Sequence, residues 1–213
     1  MPAVVEQHSL GPIGTNCYIV RAERGAAEAA VVDPSGDATP LRLRLAEMSA
    51  RCTAILVMHG HWDHLVGVAD LAEGTGAPVY MAEGERILLE QPQDFAPVAM
   101  RAYTPDVLLH GGETIDVAGL SLDVVSVPGH SPAHLAYAVD GCLLAGDVLF
   151  AGSVGRTDLP GADWDTLLDS IRTLVERYPP ETVVYPGHGS ATTLGEELAR
   201  NPFLDVLRAE RRA

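Results

Sequence analysis

Positive charge is scarce in this sequence, and the shortage excludes several kinds of partner. The chain of 213 residues has 14 Lys and Arg against 29 Asp and Glu, a formal charge of −15. Proteins that bind nucleic acid non-specifically need basic side chains to replace the counterions of the phosphates. An anionic membrane surface also attracts basic segments. We therefore expect neither a nucleic acid nor a membrane as partner, and we expect the charge to favour solubility.

Long hydrophobic runs and paired cysteines are also missing. No apolar stretch approaches the roughly 20 residues of a membrane span. Residues 1–10 lack the basic and apolar regions of a secretory signal peptide. Cys17, Cys52 and Cys142 lie far apart in apolar, strand-like stretches and form no C-x-x-C pair, so we expect buried free thiols. Because free thiols persist in a reducing compartment, these features predict a cytoplasmic protein.

Length and composition predict one globular domain spanning residues 1–213. Hydrophobic residues make up 47% of the chain and charged residues 20%, which suits a protein with a substantial core. The length is enough for one sizeable domain, and neither an internal repeat nor a low-complexity linker is visible. The succession of short strands and helices predicts a mixed α/β fold.

Hydrophobic periodicity and turn residues predict the order of the elements. Strands are predicted at residues 4–10, 16–21, 29–33, 52–57, 79–81, 107–109, 114–117, 120–127, 135–139, 142–145 and 182–185. Helices are predicted at residues 39–48, 65–73, 83–90, 163–178 and 192–200, and from Pro202 through Arg212. Ala118-Gly119 and Asp140-Gly141 are predicted hairpin turns. Residues 91–105 form a predicted long loop, which is either a functional lid or a solvated connection.

A cluster of histidines directly after a buried strand is the most informative feature. His59, His61, Asp63 and His64 follow the apolar run 54–57 at H-x-H-x-D-H spacing. Imidazole nitrogen and carboxylate oxygen are the natural ligands of zinc, iron and manganese. His59 and His61 project to the same side of an extended chain, while Asp63 and His64 follow the turn. This spacing favours two adjacent metal ions over one, and the alternative is a polar surface loop.

Three later strands also end in a glycine that is followed at once by a metal-ligand residue. These pairs are Gly129-His130, Gly146-Asp147 and Gly187-His188. Glycine lets the backbone turn sharply and approach an ion closely. Together with the strand before His59, the four strand ends indicate a common rim that carries a site.

The first cluster resembles the signature T-H-x-H-x-D-H of the metallo-β-lactamase superfamily, with Met58 at the threonine position. The resemblance implies an αββα sandwich, in which two mixed β-sheets are flanked by helices and two divalent metal ions lie at one edge. Zinc is the expected metal, with iron or manganese as alternatives. By this resemblance the ligands are His59, His61 and His130 for one ion, Asp63, His64 and His188 for the other, and Asp147 as a bridge.

The resemblance also implies roles in catalysis. Two metal ions about 3.5–4 Å apart can share a water and lower its pKa from 15.7 to about 7, so that hydroxide attacks an electrophilic carbonyl. Asp63 then holds the proton of the nucleophile as well as binding metal, and Asp147 holds the metal pair. His134 matches no ligand position; it either orients a ligand from behind or lies on the surface.

Further motifs resemble the glyoxalase II group in its short bacterial form. They are GPIGTNCY at 11–18, GDVLF at 146–150, SVGRTD at 153–158 and NPFL at 201–204. The group implies hydrolysis of S-acyl thiols such as S-lactoylglutathione, a small-molecule thioester. Arg156 then binds the substrate carboxylate through its fork of donors. The alternative is a surface turn in which Arg156 pairs with Asp158.

The end of the sequence departs from the glyoxalase II pattern. Full-length members continue into a helical segment that supplies basic contacts to glutathione, whereas this sequence ends nine residues after Leu204 (213 minus 204). Arg208, Arg211 and Arg212 either take the place of those contacts or form the end of a solvated helix.

Three other functions share the resemblance. A persulfide dioxygenase uses a single iron held by two histidines and an aspartate, and the larger ligand set disfavours it. A phosphodiesterase is disfavoured by the charge of −15, and a lactonase stays an alternative. A non-catalytic binding module would be expected to have lost ligands, and none is lost.

Overall fold

Two β-sheets follow one another along the chain, and the computed structural model describes them within residues 2–211. The strands of the first sheet are β1 (Val4–Leu10), β2 (Thr15–Arg21), β3 (Glu28–Val32), β4 (Arg51–Leu56), β5 (Val79–Ala82) and β6 (Val107–Leu109). Those of the second sheet begin with β7 (Thr114–Val117), β8 (Leu120–Ser126), β9 (Leu135–Val139) and β10 (Cys142–Gly146). A separate hairpin consists of β11 (Leu149–Phe150) and β12 (Ser153–Val154). The second sheet is completed by β13 (Val183–Pro186) and β14 (Thr192–Thr193).

Helices connect the strands and cover the outside of both sheets. They are α1 (Thr39–Glu47), α2 (Trp62–Leu65), α3 (Val68–Thr75), α4 (Arg86–Glu90), α5 (Trp164–Arg177), α6 (Leu194–Arg200) and α7 (Asp205–Glu210). Short 3₁₀ turns lie at Glu83–Glu85, Pro92–Asp94 and Pro202–Leu204. Within residues 2–211 no helix has the length and apolar character needed to cross a membrane.

Both sheets are mixed. In the first, β1, β2 and β3 form the predicted antiparallel meander, and β3, β4, β5 and β6 are parallel neighbours. In the second, the order is β14-β13-β10-β9-β8-β7, and β10 with β13 is its parallel pair. Helices α1 to α4 pack on the outer face of the first sheet, and α5 to α7 on that of the second. The predicted αββα sandwich is confirmed.

The alternation of side chains along each strand explains this layering. In β2, Tyr18 and Val20 pack in the core between the sheets, whereas Cys17 and Ile19 pack under the helices. Successive side chains of a strand point to opposite faces, so a strand covered on both sides is apolar throughout. This is why β2 is buried along its whole length. The three cysteines are free and buried, as predicted.

Some predicted boundaries are wrong. The helix predicted at 65–73 is two helices, α2 and α3, because the backbone N–H of Gly67 donates to the Pro34 carbonyl at 2.9 Å. The contact needs glycine, since a Cβ there would lie 2.6 Å from the Pro34 oxygen. The hairpin of β11 and β12 was not predicted, since each strand has only two residues. The helix predicted from Pro202 begins as a 3₁₀ turn and continues as α7; Arg212 lies outside the described residues.

The predicted turns and the predicted loop are confirmed. Ala118 and Gly119 have φ of 53° and 71°, and Asp140 and Gly141 have φ of 48° and 78°, the left-handed values that a two-residue hairpin turn requires. Between residues 91 and 105 the chain is irregular apart from one 3₁₀ turn. The prediction of one domain stays a prediction.

The two sheets are joined by hydrogen bonds at the rim where β4 ends. The hydroxyl of Tyr137 in β9 donates to the Val57 carbonyl at 2.9 Å. The backbone N–H of Leu135 donates to the Met58 carbonyl at 2.8 Å. These bonds hold the chain just before His59 against the second sheet.

Tyr137→Phe tests this connection between the sheets. The substitution leaves the buried Val57 carbonyl without its partner, and we expect the free energy of unfolding to fall by about 1–3 kcal/mol. Tyr178→Phe is the matched control, because the Tyr178 hydroxyl has no hydrogen-bond partner among the described residues. Urea unfolding of both variants measures the difference, and equal losses would contradict the role of the Tyr137 hydroxyl.

Candidate metal centre

Four strand ends bring the seven predicted ligand residues to one rim of the sandwich. His59 follows β4 in the first sheet, and His61 is the extended residue directly before α2, which carries Asp63 and His64. In the second sheet, the residues that follow β8, β10 and β13 are His130, Asp147 and His188. The structure thus brings together every residue of the predicted ligand set, and their binding of metal stays a prediction.

Three imidazoles face one another in the first part of the cluster. His61 Nδ1 lies 3.0 Å from His59 Nε2 and 2.9 Å from His130 Nε2. His130 Nδ1 lies 2.9 Å from the carbonyl oxygen of Arg156, which only accepts hydrogen bonds, so Nδ1 carries the proton and Nε2 presents its lone pair. Burial and the neighbouring imidazoles hold the pKa of His59 well below its usual range and lower that of His61 to about 4. Neutral imidazole is the form that binds a metal ion.

Two carboxylates and two imidazoles make up the second part. Asp63 Oδ2 lies 3.3 Å from His64 Nε2 and 3.4 Å from His188 Nε2. Asp147 lies between the two parts of the cluster. Its Oδ2 is 3.5 Å from Nε2 of both His130 and His188, and its Oδ1 is 3.5 Å from His64 Nε2.

The electrostatics of this second part favour charged carboxylates. Burial raises the pKa of Asp147, but the charge of His64 and a hydrogen bond with His188 outweigh burial and hold that pKa well below its usual value. Asp63 shows the same balance, and its pKa is lowered. Hydrogen bonds to Asp147 and Asp63 raise the pKa of His188 to about 9. The site therefore favours positive charge beside its two carboxylates, which a bound cation also supplies.

Two orphaned polar atoms support the fit of a metal ion. His64 Nε2 and Asp147 Oδ1 are buried and have no hydrogen-bond partner in residues 2–211, although buried polar atoms are normally satisfied. His64 Nδ1 lies 2.6 Å from Asp33 Oδ2, so Nδ1 donates to Asp33 and Nε2 faces the other ligands, where a metal ion would replace the Nε2 proton. Imidazole and carboxylate donors suit zinc, iron and manganese. The residues present fit a pair of such ions.

Asp33 and Thr15 support the ligands, although no local sequence pattern indicates either role. Asp33 is completely buried, receives His64 Nδ1 on Oδ2 and accepts a hydrogen bond from the Met58 backbone on Oδ1 at 2.8 Å. Thr15 donates its hydroxyl to Asp63 Oδ2 at 2.7 Å. Asp33 follows β3, the parallel neighbour of β4, so both strands end at the same rim. The threonine that the signature places at position 58 is absent, and Thr15 supplies a hydroxyl from another strand.

Glu85, which follows β5 of the first sheet, and His134, which precedes β9 of the second, hold the ligand loops. The two side-chain oxygens of Glu85 accept from the backbone N–H groups of Gly60 and Ala133, the latter at 2.8 Å. His134 Nε2 accepts from the Asp147 backbone N–H at 3.1 Å, and its ring stacks on His59 with centroids 4.6 Å apart. The surface alternative for His134 is wrong, because its side chain is completely buried.

The glycines before the ligands allow the close approach that the sequence analysis inferred. A Cβ on Gly187 would lie 2.0 Å from Asp147 Oδ1. Gly146 has φ of 52°, and a Cβ there would lie 2.6 Å from His134 Cε1. A side chain at either position would displace the ligands or their support.

Arg156 lines the cleft of about 520 Å³ in which the cluster lies. Its Nε and Nη2 also donate to the two oxygens of Asp158 at 2.6 and 2.7 Å, and both side chains are exposed. This pairing lowers the pKa of Asp158 to about 2. The predicted alternative, a surface turn in which Arg156 pairs with Asp158, is thus present. The contact of Arg156 with a substrate stays a prediction.

Comparison with known proteins gives consistent similarities. The sequence model described as "Metallo-beta-lactamase superfamily" matches residues 10–188. The chain is 34% identical to hydroxyacylglutathione hydrolase GloC of Haemophilus influenzae over 198 residues, 89% of this chain and 92% of the relative. The solved structure of BLEG-1 B3 metallo-beta-lactamase is similar with a TM-score of 0.89 and 36% identity, covering 95% of this chain and all of that one. TTHA1623, solved in a di-iron-bound form, is similar with a TM-score of 0.81 and 36% identity, covering 94% and 100%.

Thr15→Val tests the support of Asp63. Valine keeps the shape and suits a strand, but it leaves Asp63 Oδ2 without its hydroxyl donor. We expect the affinity for one of the two metal ions to fall by about 10–100-fold, as for other supports of metal ligands. Titration of metal-free protein with Zn²⁺ against a chelator measures this affinity. Thr15→Ser retains the hydroxyl and should bind like the parent; unchanged affinity in Thr15→Val would contradict the role of the hydroxyl.

Proposed function

The chain belongs to the metallo-beta-lactamase superfamily, and from this premise we propose that it is a binuclear metallohydrolase that cleaves thioesters of the S-acyl thiol class. One observation carries the two-metal proposal: Asp147 lies within 3.5 Å of imidazole nitrogens in both parts of the cluster. The motifs shared with the glyoxalase II group and the identity to a hydroxyacylglutathione hydrolase support the thioester as substrate.

The protein contributes binding, orientation and proton transfer to this reaction. The proposed ligands of one ion are His59, His61 and His130, those of the other are Asp63, His64 and His188, and Asp147 contacts both. When bound, a metal pair supplies Lewis acidity and lowers the pKa of a water to about 7.

Two acidic residues have further proposed roles. Asp63 borders the cleft and accepts the proton of the attacking water, while Thr15 fixes one of its oxygens. Asp147 fixes the distance between the two sets of proposed ligands. His134 holds Asp147 in place by accepting a hydrogen bond from its backbone N–H. The departing thiolate is a good leaving group, so the reaction needs no strong general acid.

Hydrolysis of β-lactams is a second candidate. The specific observation in its favour is the similarity to a B3 metallo-beta-lactamase along 95% of the chain. The attack on a β-lactam carbonyl uses the same nucleophile, so the cluster alone does not separate the two substrates. The cleft is also lined by Arg156, which suits the carboxylate of either class.

Metal analysis and a substrate panel test the proposal together. We expect two metal ions per chain in metal-replete protein, and faster hydrolysis of thioesters than of lactones, β-lactams and phosphodiesters. A single iron per chain with oxygen-dependent turnover of a persulfide would instead support the dioxygenase. Hydrolysis of β-lactams in preference to thioesters would overturn the proposed substrate and favour the second candidate.

Arg156→Ala separates substrate binding from chemistry. If Arg156 binds a substrate carboxylate, its loss should raise KM for S-lactoylglutathione more than it lowers kcat, because the contact lies away from the scissile bond. We expect kcat/KM to fall by about 10–100-fold for this anionic substrate and by little for a neutral thioester.

Asp158→Ala is the matched control for Arg156. It removes the ion pair but leaves the guanidinium free for substrate, so KM should not rise. If both substitutions lower the melting temperature equally and leave KM unchanged, Arg156 only holds the turn with Asp158. Metal content should stay constant in both variants, since neither residue is a proposed ligand.

A further inference from the structure

An apolar pocket of about 350 Å³ lies beside the metal cleft. Its volume falls within the range of about 300–1,000 Å³ that is typical of small-molecule sites. The walls are largely aliphatic and aromatic side chains from α4, from the 91–105 loop and from the loop after β8. They include Ile87, Leu88, Phe95, Ala96, Met100 and Pro132.

The pocket adjoins the cleft that the proposed ligands line. Four residues line both spaces: His61, Trp62, Phe95 and Pro160. His61 belongs to the group of three imidazoles, so a molecule held beside this group can extend into the pocket without leaving the protein surface.

The pocket wall contains few polar side chains, and its one carboxylate is engaged elsewhere. Glu85 lines the pocket, but its two oxygens accept from backbone N–H groups and its side chain is buried. Ser131 also lines the pocket, is 2% exposed, and its Oγ has no hydrogen-bond partner in the described part of the chain. The pocket therefore suits an uncharged group that is mostly hydrocarbon.

The distribution of positive charge separates the two spaces. The sequence contains no lysine, so its 14 basic residues are all arginine. Among residues 2–211, Arg156 is the one arginine that lines the cleft, and no arginine lines the pocket. An anionic end of a substrate can therefore pair with Arg156 in the cleft. A charged substrate group in the pocket would have no partner there, and its desolvation would be costly.

Exposed apolar side chains at the pocket also favour a hydrocarbon ligand. Phe95 is 56% exposed and Ile87 is 38% exposed. Both side chains would lose water contact when an apolar group fills the pocket, and this burial is favourable.

We propose that this pocket binds the acyl group of the substrate, and that the preferred thioesters carry an apolar acyl chain of several carbons. The proposal rests on the proposed thioester hydrolase function. The thiol part stays in the open cleft, where Arg156 can contact its carboxylate if it has one. The acyl chain passes His61 and Trp62 and is buried against Leu88, Phe95 and Met100.

A series of thioesters with one neutral thiol tests the proposal. N-acetylcysteamine thioesters of acetyl, butanoyl and hexanoyl groups differ only in the acyl chain. We expect kcat/KM to rise by up to about fourfold for each added methylene that the pocket buries. Hexanoate, the acid that hydrolysis of the hexanoyl thioester releases, should likewise inhibit the hydrolysis of a β-lactam more strongly than acetate does. This readout does not depend on thioester turnover.

Ala96→Phe should remove this dependence by filling the pocket from the 91–105 loop. We expect the variant to lose the gain in kcat/KM from the acetyl to the hexanoyl thioester. Ala99→Phe is the matched control on the same loop, because Ala99 is exposed and lines neither space; it should retain the gain.

The possible failures are distinguishable. If no thioester is hydrolysed while hexanoate still inhibits β-lactam hydrolysis more strongly than acetate, the proposed function fails and the pocket assignment stands. If thioesters are hydrolysed at rates independent of acyl length, the acyl pocket is overturned and the function stands. If Ala96→Phe retains the gain, or if the gain follows the length of an alkyl thiol instead of the acyl group, the assignment of the pocket is overturned.

Discussion

The carboxylate of Asp147 joins the two parts of the candidate metal centre. Its oxygens lie 3.5 Å from nitrogens of His64, His130 and His188, and the glycine at 187 leaves the space for this approach. Burial disfavours the charge of Asp147, yet the surrounding imidazoles keep its pKa well below the usual value. A buried charge of this kind is stable only beside compensating positive charge. The site is therefore a closely balanced set of donors, in which each ligand depends on the placement of the others.

The ligands come from both sheets, so the centre exists only while the sheets keep their relative position. His59 follows a strand of the first sheet, and Asp147 follows one of the second. The hydroxyl of Tyr137 and the side chain of Glu85 link the two sides through backbone groups next to the ligands. Packing between the sheets is apolar and has little directional preference, whereas these hydrogen bonds fix distance and angle. The polar links thus set the precision of a site that the apolar core brings together.

The surroundings of the centre suit an uncharged electrophile more than a highly charged one. The protein has an excess of acidic residues, and the described residues place a single arginine in the cleft, paired with Asp158. Beside it lies an apolar pocket that shares His61 with the cleft. A hydrocarbon group gains there from burial, and a polyanionic carrier would find few partners. This asymmetry supports a division of the substrate between the two spaces.

The sequence by itself determined the longer strands, two hairpin turns and the positions of the candidate ligands, because these depend on local periodicity, turn chemistry and short spacing, whereas the two-residue strands β11, β12 and β14 carry no periodicity. The resemblance then supplied the sandwich, which the structure confirms. Only the tertiary structure revealed Thr15 beside Asp63, 48 residues away, and Asp33 beside His64, 31 residues away. It also decided that His134 is buried and that the predicted helix at 65–73 breaks at Gly67. Such contacts depend on which strands become neighbours and on which backbone segments touch, and no local sequence pattern encodes these pairings. The pocket also could not be predicted from the sequence, because its walls come from segments that are distant along the chain.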